Sequence, residues 1–288
     1  MSRVRPPLNR PGDRCLIEQT SRRGAAQTQK VTGTNLLLDE LPSTARERLV
    51  RRGETVNLAF GTVLCEPDQP FEHVYFPASA FISLVARVGN HPPLEVGLIG
   101  NEGMLGVTLV LGVRAAPLRG LVQGEGEALR LSVRNLNEEL LDSPSLSKTL
   151  NRYLYVLMSQ VTQTTGCTRF HEIEPRLTRW LLMAHDRAHS DHLRLTHQFL
   201  ADLLGVQRSA VTIAAGSLQE RGFIRYTRGE ITIVDRKGLE KASCECYAAM
   251  IEHQAKMFGD ARARAAAPAP PQLPARFRAG RRAAESLR

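Results

Sequence analysis

Apolar residues follow three successive patterns along the chain, and the first of them predicts strands. Between about Thr55 and Ser132, short apolar runs alternate with glycine, proline and asparagine. The runs lie at 56–60, 74–76, 81–85, 94–99, 118–122 and 128–131. Short strands at this spacing, separated by turn residues, are typical of an all-β roll or barrel. A short helix over residues 34–49 is predicted before them.

The second pattern is a narrow apolar stripe that begins after Ser143 and Pro144 and continues to about Cys167. Its members recur at spacings of three and four: Leu146, Leu150, Tyr153, Leu154, Leu157 and Val161. This periodicity predicts a helix of about six turns. A stripe of this width suits a partner helix, and packing onto the chain's own β domain is the alternative.

The third pattern, residues 196–216, fits two short helices joined by a tight turn. Counting His197 as the first position, Ala201 is the small residue at position five. Gly205 falls at position nine, where a turn needs a residue that accepts positive φ. Val211, at position fifteen, anchors the second helix (207–217), so that its other face can enter a major groove of DNA. The buried face is completed by Leu200, Leu204 and Val206.

The segments on either side extend this helix-turn-helix into a winged helix. Pro175 suits the first turn of a preceding helix. The apolar face of that helix comprises Leu177, Trp180, Leu181 and Ala184. Residues 222–226 and 231–234, joined by a turn at Arg228 and Gly229, predict a two-stranded hairpin. Residues 237–258 read as helical.

The length of 288 residues allows two domains with a sizeable core. The predicted fold class is α+β. The expected parts are a β-roll sensor domain (34–144), a dimerisation helix (145–168) and a winged helix with its following helix (169–258). The ends, 1–33 and 259–288, are rich in Arg, Pro and Ala or Gln without apolar periodicity and are predicted to be disordered. No run of 18 apolar residues exists, which argues against a membrane partner.

The net charge of +9 is concentrated in the two ends of the chain. Residues 1–33 carry +5 and residues 261–288 carry +6, so the part between them has a net charge of −2. Within that part, residues 168–237 carry +3. The positive balance of the segment that holds the helix-turn-helix supports contact with phosphates.

Five scattered cysteines, an odd number, fit a reduced cytoplasmic protein better than a disulfide scaffold. Cys244 and Cys246 are expected on one helix, where alternate positions do not share a face. A metal or redox role is therefore not expected of them. Cys65 and Cys167 are expected to be core thiols.

Two histidines, His185 and His189, are spaced so that both rings would share a helix face and could hold zinc. The glutamate of a His-Glu-x-x-His site is missing, so a surface and capping role is preferred. The sequence thus predicts no metal site and no cofactor. It also has no phosphate-binding loop, no nucleophile elbow and no convincing carboxylate pair, so an enzyme with catalytic residues is not expected. Carboxylates within 34–167 are expected mostly on the solvated surface.

The order of β-roll, long helix and winged helix resembles the Crp/Fnr family of bacterial transcription regulators. The resemblance covers about residues 34–240, and the helix-turn-helix is its most specific piece. Residues 100–106, Gly-Asn-Glu-Gly-Met-Leu-Gly, are similar to the glycine-rich turn of the family's cyclic-nucleotide-binding-like domain. The resemblance implies a cytoplasmic homodimer that binds double-stranded promoter DNA, contacts RNA polymerase and responds to an effector through the long helix. A small-ligand-binding module whose winged helix contacts protein is the alternative.

Dimerisation is favoured for the long helix, because helix-turn-helix proteins usually read two half-sites as dimers.

The winged helix also offers candidate DNA contacts. Thr196 is expected to cap the first helix. Candidate phosphate contacts at that helix start are Thr196, His197 and Gln198. In the wing, Arg225 and Arg228 are expected to contact phosphates.

The second helix of the motif should face the base edges with its early residues. These are Gln207, Arg208, Ser209 and Thr212. Arg208 can donate two parallel hydrogen bonds to guanine. The family often has Glu at the position of Ser209 and Arg at that of Ile213, so a different operator sequence is expected.

The sensor domain departs from the family members that bind cyclic AMP. Those carry Gly-Glu-Leu in the glycine-rich turn, whereas this chain has Gly103, Met104 and Leu105 and lacks the ribose-binding carboxylate. Arg119 is the candidate for the phosphate-pairing arginine. These four residues form the possible effector pocket, and cyclic AMP is expected to bind weakly or not at all. The iron–sulfur cluster of the Fnr branch is not expected either, because Cys15 is the only cysteine near the N-terminus.

Overall fold

The computed structural model describes residues 34–259, and its first half is a roll of seven strands. The predictions for 1–33 and 259–288 lie outside the described residues, apart from Gly259. The strands are β1 (Glu54–Leu58), β2 (Val63–Cys65), β3 (His73–Pro77), β4 (Phe81–Ala86), β5 (Leu94–Ile99), β6 (Arg119–Gly124) and β7 (Gly126–Ser132). They form two antiparallel sheets, β1-β7-β3 and β2-β6-β4-β5. The six predicted apolar runs are all confirmed as strands, whereas β2, which is short and partly exposed, was not predicted.

Three helices accompany the roll: α1 (Leu36–Asp39), α2 (Ser43–Arg52) and α3 (Val133–Asp142). The prediction of one helix over 34–49 is wrong, because Pro42 adopts an extended conformation (ψ 142°) between α1 and α2. A proline lacks the N–H that would continue α1, and it disfavours helical geometry in the residue before it. Ser132 caps α3, accepting a hydrogen bond from the backbone N–H of Asn135 at 3.2 Å.

The long helix α4 (Pro144–Phe170) has 27 residues and extends about 40 Å. Pro144 occupies its first turn and Ser143 caps it, so the helix begins where the apolar stripe predicts. Leu146, Leu150 and Tyr153 are buried in the same core as the β-roll. Packing onto the chain's own β domain, the alternative interpretation, therefore accounts for this part of the stripe. Its remaining members, Leu154, Leu157 and Val161, are only partly buried.

The second half holds the winged helix. Its elements are α5 (Ile173–Ala188), β8 (His192–Arg194), α6 (His197–Leu204), α7 (Arg208–Glu220), β9 (Ile224–Thr227), β10 (Glu230–Ile233), α8 (Arg236–Ala242) and α9 (Glu245–Phe258). The predicted hairpin β9–β10 is confirmed, and β8 adds a third strand in the order β8-β10-β9. The single helix predicted over 237–258 is wrong, because Ser243 and Cys244 are extended and separate α8 from α9.

Each half is built around its own apolar cluster, and the α+β class is confirmed. One cluster joins the β-roll with α1 to α4. The other lies among α5 to α9 and the wing, and also takes in Phe81 and Leu98 from β4 and β5. These two side chains make the two halves contiguous. Within residues 34–259, no helix combines the length and apolar character needed to cross a membrane.

Candidate nucleic-acid interface

The turn between α6 and α7 has the geometry that its sequence predicts. Gly205 adopts the left-handed conformation (φ 65°, ψ 40°), and its N–H bonds to carbonyls of the last turn of α6. A Cβ atom added there would lie 2.9 Å from Leu94 Cδ1. Ala201 and Val211 are fully buried where the helices cross. The predicted helix-turn-helix is therefore confirmed as a structural unit.

The start of α6 is fixed by side chains that the sequence singled out. Thr196 Oγ1 accepts a hydrogen bond from the backbone N–H of Phe199 at 3.2 Å, which confirms it as the cap. Gln198 is exposed and donates to Asp202 Oδ1 at 2.9 Å. The free face of this helix start still presents both Thr196 and Gln198 to solvent.

His197 connects the two helices to the wing. Its Nδ1 lies 3.0 Å from Thr212 Oγ1, and its ring stacks on Tyr226 with ring centroids 4.0 Å apart. Burial and the nearby charge of Arg208 lower the pKa of His197. His197 therefore makes contacts within the protein, whereas the sequence predicted only that it contacts phosphate. Its stacking partner Tyr226 was missed because nothing in the sequence pairs the two rings.

The outer face of α7 is open. Gln207, at its N-cap position, and the side chains of Arg208, Ser209 and Thr212 are exposed. Ile213 lies on the same face with 74% of its surface exposed. An exposed β-branched apolar side chain beside polar ones suits the groove of DNA, where thymine offers a methyl group.

The wing carries two exposed arginines beside this face. Arg228 (φ 48°) and Gly229 (φ 84°) both adopt left-handed geometry at the tip of the β9–β10 hairpin. Arg225 is exposed on β9. Among residues 34–259, no carboxylate pairs with Arg208, Arg225 or Arg228 within salt-bridge distance. Three cations thus remain available to an external anion.

Two of the four predicted effector-pocket residues share the lining of one cavity in the roll. Met104 and Leu105 line a mostly apolar cavity of about 330 Å³ between the roll and α4. Gly103 lies instead against Tyr153, whose hydroxyl would be 2.1 Å from an added Cβ. Arg119 donates from Nε to Glu66 Oε2 at 2.8 Å. Gly103 and Arg119 are therefore not part of this lining, because each is held by a neighbour that the sequence pattern does not reveal.

A second cavity of about 500 Å³ lies where the roll meets α5 and α9. Glu102 and Arg187 line it, and Arg187 Nη2 is 2.6 Å from Glu102 Oε1. This ion pair holds the carboxylate of Glu102, the residue directly before the Gly103, Met104 and Leu105 triplet. His185 and His189 also line the cavity but have separate partners, Asp191 at 2.7 Å and Asn101 at 3.4 Å.

The expectation of solvated carboxylates is wrong for Glu95 of β5. Its Oε1 accepts a hydrogen bond from Trp180 Nε1 of α5 at 2.7 Å, and its Oε2 accepts one from the Ser83 hydroxyl. Burial raises the pKa of Glu95 to about 7. The alternation of apolar and polar residues in β5 suggests that Glu95 faces solvent. In the structure the second domain covers this strand, so both of its faces are buried.

The prediction that Cys244 and Cys246 point to different helix faces is also wrong. Cys244 precedes α9 as an extended N-cap residue (φ −73°, ψ 161°). Both sulfur atoms therefore reach the same side, towards Cys167 and His171 at the end of α4.

Comparison with known proteins agrees with this geometry. Residues 175–242 match the family described as the Crp-like helix-turn-helix domain. The chain is 27% identical over 177 residues to the global nitrogen regulator of Synechocystis, covering 58% of this chain and 78% of that protein. It is 26% identical over 202 residues to the transcriptional regulator SdrP of Thermus thermophilus, covering 65% and 93%.

The fold is shared with solved structures as well. A Crp/Fnr-family regulator from Eubacterium rectale superposes with a TM-score of 0.57 at 17% identity, covering 72% of this chain and 96% of that one. The fold, the open face of α7 and the matched domain define a transcription regulator with a DNA-binding helix-turn-helix. More narrowly, residues 175–242 form a Crp-like helix-turn-helix domain, and the fold is similar to that of a Crp/Fnr-family regulator.

Proposed function

We propose that the chain works as a homodimer that reads a palindromic promoter site with α7 in the major groove. A two-fold dimer places its reading helices about one helical turn of DNA apart, so half-sites of that spacing are expected. The open face of α7, beside two exposed wing arginines that have no carboxylate partner within residues 34–259, is the observation that carries this proposal. Because promoter DNA is the partner, the site of action is the cytoplasm, and RNA polymerase is the expected second partner.

Base reading depends on the first turns of α7. Arg208 donates two hydrogen bonds to a guanine, which discriminates against other bases by about 1–3 kcal/mol. Gln207, Ser209 and Thr212 lie beside it for further base contacts. Thr196 and Gln198 at the start of α6 contact phosphates, as do Arg225 and Arg228 in the wing.

The dimer seam follows the part of α4 that the roll leaves open. Leu154, Met158, Val161 and Thr165 recur at spacings of four, three and four. This is the a/d spacing of a coiled coil. Met158 has 61% of its surface exposed in the single chain, so a second copy would bury it. The same helix lines the cavity beside Met104 and Leu105, so an effector bound there would act directly on the seam.

The effector of that cavity is expected to be apolar rather than cyclic AMP. Its lining includes Met104, Leu105, Leu154 and Leu157 and offers no carboxylate for a ribose hydroxyl. Calorimetry with cyclic AMP should give no saturable binding in the sub-micromolar range. Saturable binding at that level would contradict this assignment.

A selection of binding sequences from random oligonucleotides tests the whole proposal. The wild-type chain should enrich a palindrome, and Arg208→Ala should relax the preference at one symmetric pair of guanines by about 5- to 150-fold. Arg134→Ala is the matched control, because Arg134 is an exposed arginine on α3, in the roll. Enrichment of a non-repeated site by a monomer would contradict the dimer. Failure to enrich any sequence would favour the ligand-binding module whose winged helix contacts protein.

A further inference from the structure

Four side chains of metal-binding type meet where the end of α4 approaches the start of α9. Cys167 and His171 come from α4 and its C-cap, and Cys244 and Cys246 come from the N-cap and first turn of α9. One ligand atom from each lies within 4.8 Å of the other three. The three cysteines are buried and form a cluster of their own.

The local backbone explains why these residues converge. Cys167 and His171 are four positions apart, so they share one face of α4. The N–H of His171 still bonds to the carbonyl of Cys167 at 3.1 Å. Cys244 is extended and Cys246 is helical, so the two side chains turn towards the same point.

The distances within the cluster fit a tetrahedral ion. Cys167 Sγ and Cys244 Sγ are 3.6 Å apart, and Cys246 Sγ is 3.5 Å from His171 Nδ1. Zinc binds thiolate sulfur at about 2.3 Å and imidazole nitrogen at about 2.0–2.1 Å, so tetrahedral neighbours lie about 3.5–3.8 Å apart. These two pairs are already at their coordinated spacing, and the remaining pairs, all within 4.8 Å, need to approach by at most about 1 Å.

The surrounding groups orient the ligands. His171 Nε2 lies 3.1 Å from Glu245 Oε1, which directs Nδ1 towards the three sulfurs. A carboxylate behind a metal-bound histidine is the usual outer partner of a zinc ligand. Gln163 Nε2 donates to Cys246 Sγ at 3.0 Å, a contact that suits a thiolate.

The charge around the cluster has the sign that a zinc–thiolate centre needs. Three thiolates and one neutral imidazole on Zn²⁺ carry a net charge of −1. Arg176 and Arg179 are buried beside the cluster and interact electrostatically with Cys167. Neither arginine forms an ion pair with a carboxylate of residues 34–259. A negatively charged metal centre would offset these two buried cations.

We propose that Cys167, His171, Cys244 and Cys246 form a structural zinc site that fastens the end of α4 to the start of α9. Binding releases the three thiol protons and leaves all four zinc positions filled by protein, which is the pattern of a structural site rather than a catalytic one. The site lies just before α5, the helix that leads into the reading head, which comprises α6, α7 and the wing (β9 and β10). Zinc thus fixes the base of the winged helix to the long helix. This inference does not depend on which DNA sequence α7 reads.

Metal content and cobalt spectroscopy of the full-length chain, purified under reducing conditions, test the site. We expect one zinc ion per chain by mass spectrometry. With Co²⁺ in its place, we expect the thiolate charge-transfer band and the intense visible bands of a tetrahedral centre. Cys246→Ser should lose both, whereas Cys65→Ser should keep both, because Cys65 is a half-buried thiol in the roll.

A second variant keeps the test decisive if a cysteine variant fails to fold. Glu245→Gln changes a side chain that is 79% exposed, so the fold should persist. Its zinc affinity, measured against a chromophoric chelator, should fall about 10- to 100-fold. Glu252→Gln, an exposed glutamate on the same helix, is the matched control and should not change it.

Three results would overturn the proposal. One is full-length protein that retains no zinc and gives no cobalt–thiolate band. Another is a disulfide between Cys167 and Cys244 that persists through the reducing purification. The last is equal loss of metal in Cys65→Ser and Cys246→Ser.

Discussion

Trp180 Nε1 donates a hydrogen bond to Glu95 Oε1 at 2.7 Å, so a buried carboxyl ties the winged helix to the β-roll. Glu95 lies on β5 and Trp180 on α5, and both are buried where the two halves meet. Because burial raises the pKa of Glu95 to about 7, this link changes its charge near neutral pH.

The first prediction is that the folded chain loses stability as the pH rises from about 5 to 8, because ionisation leaves a charge on the buried Glu95. Below its ordinary pKa of 4.5, Glu95 is protonated whether folded or unfolded and adds no pH dependence. Between 4.5 and about 7 only the folded chain keeps the proton, so stability falls with rising pH, and above about 7 the full cost remains. That cost is roughly 3 kcal/mol as an upper limit.

Glu95→Gln isolates this effect without a charge, since the amide oxygen can accept from Trp180 and the amide nitrogen can donate to the Ser83 hydroxyl. Urea unfolding of both proteins at several pH values measures the difference. The variant should gain stability relative to wild type as the pH rises. Parallel curves for the two proteins would show that Glu95 does not titrate in this range.

The ion pair between Glu102 and Arg187 should contribute more to stability than an exposed pair. Glu102→Ala leaves Arg187 buried without its partner, and such a loss costs about 3 kcal/mol. Glu138→Ala removes an exposed carboxylate that bonds Arg134 and Arg52, and should cost at most about 1 kcal/mol. The denaturant midpoints of the two variants measure the two losses of stability. Equal losses would contradict a larger contribution from the buried ion pair.

The sequence predicts most of this fold because its signals are local. The cap at Thr196 and the turn at Gly205 depend on residues within a few positions of each other, and both are confirmed. The strands of the roll are likewise read from apolar runs bounded by turn residues. Helix breaks are harder to predict. The break at Ser243 and Cys244 involves neither glycine nor proline, yet the chain is extended there.

Contacts between distant segments account for what the sequence does not reveal. Glu95 is an ordinary strand glutamate until Trp180, 85 positions away, covers it. Arg119 has no visible partner in sequence, but β2 and β6 bring Glu66 beside it. Cys244 meets Cys167 only because α9 packs back on α4. Such pairings depend on tertiary packing, and no periodicity within either segment encodes them.

The proposed dimer seam gives a prediction about assembly. Met158→Glu places a charge from each copy at the two-fold interface, where it would lose water, so the dimer dissociation constant should rise roughly 100-fold or more. Leu141→Glu makes a comparable change on α3, where Leu141 is 85% exposed, and should leave assembly unchanged. Sedimentation velocity over a concentration series measures both. A Met158→Glu protein that stays dimeric would place the interface elsewhere.

Two glycines of the reading head should respond in opposite directions to the same substitution. Gly205→Ala forces a Cβ into left-handed geometry and against Leu94 Cδ1, and should cost about 1–2 kcal/mol. Gly216 lies inside α7, and an added Cβ there meets nothing within 4 Å. Gly216→Ala should therefore stabilise the chain by about 0.5–1 kcal/mol, because alanine loses less entropy in a helix. Urea unfolding of the two variants gives both signs, and a gain at Gly205 would mean that the turn between α6 and α7 does not hold its left-handed conformation.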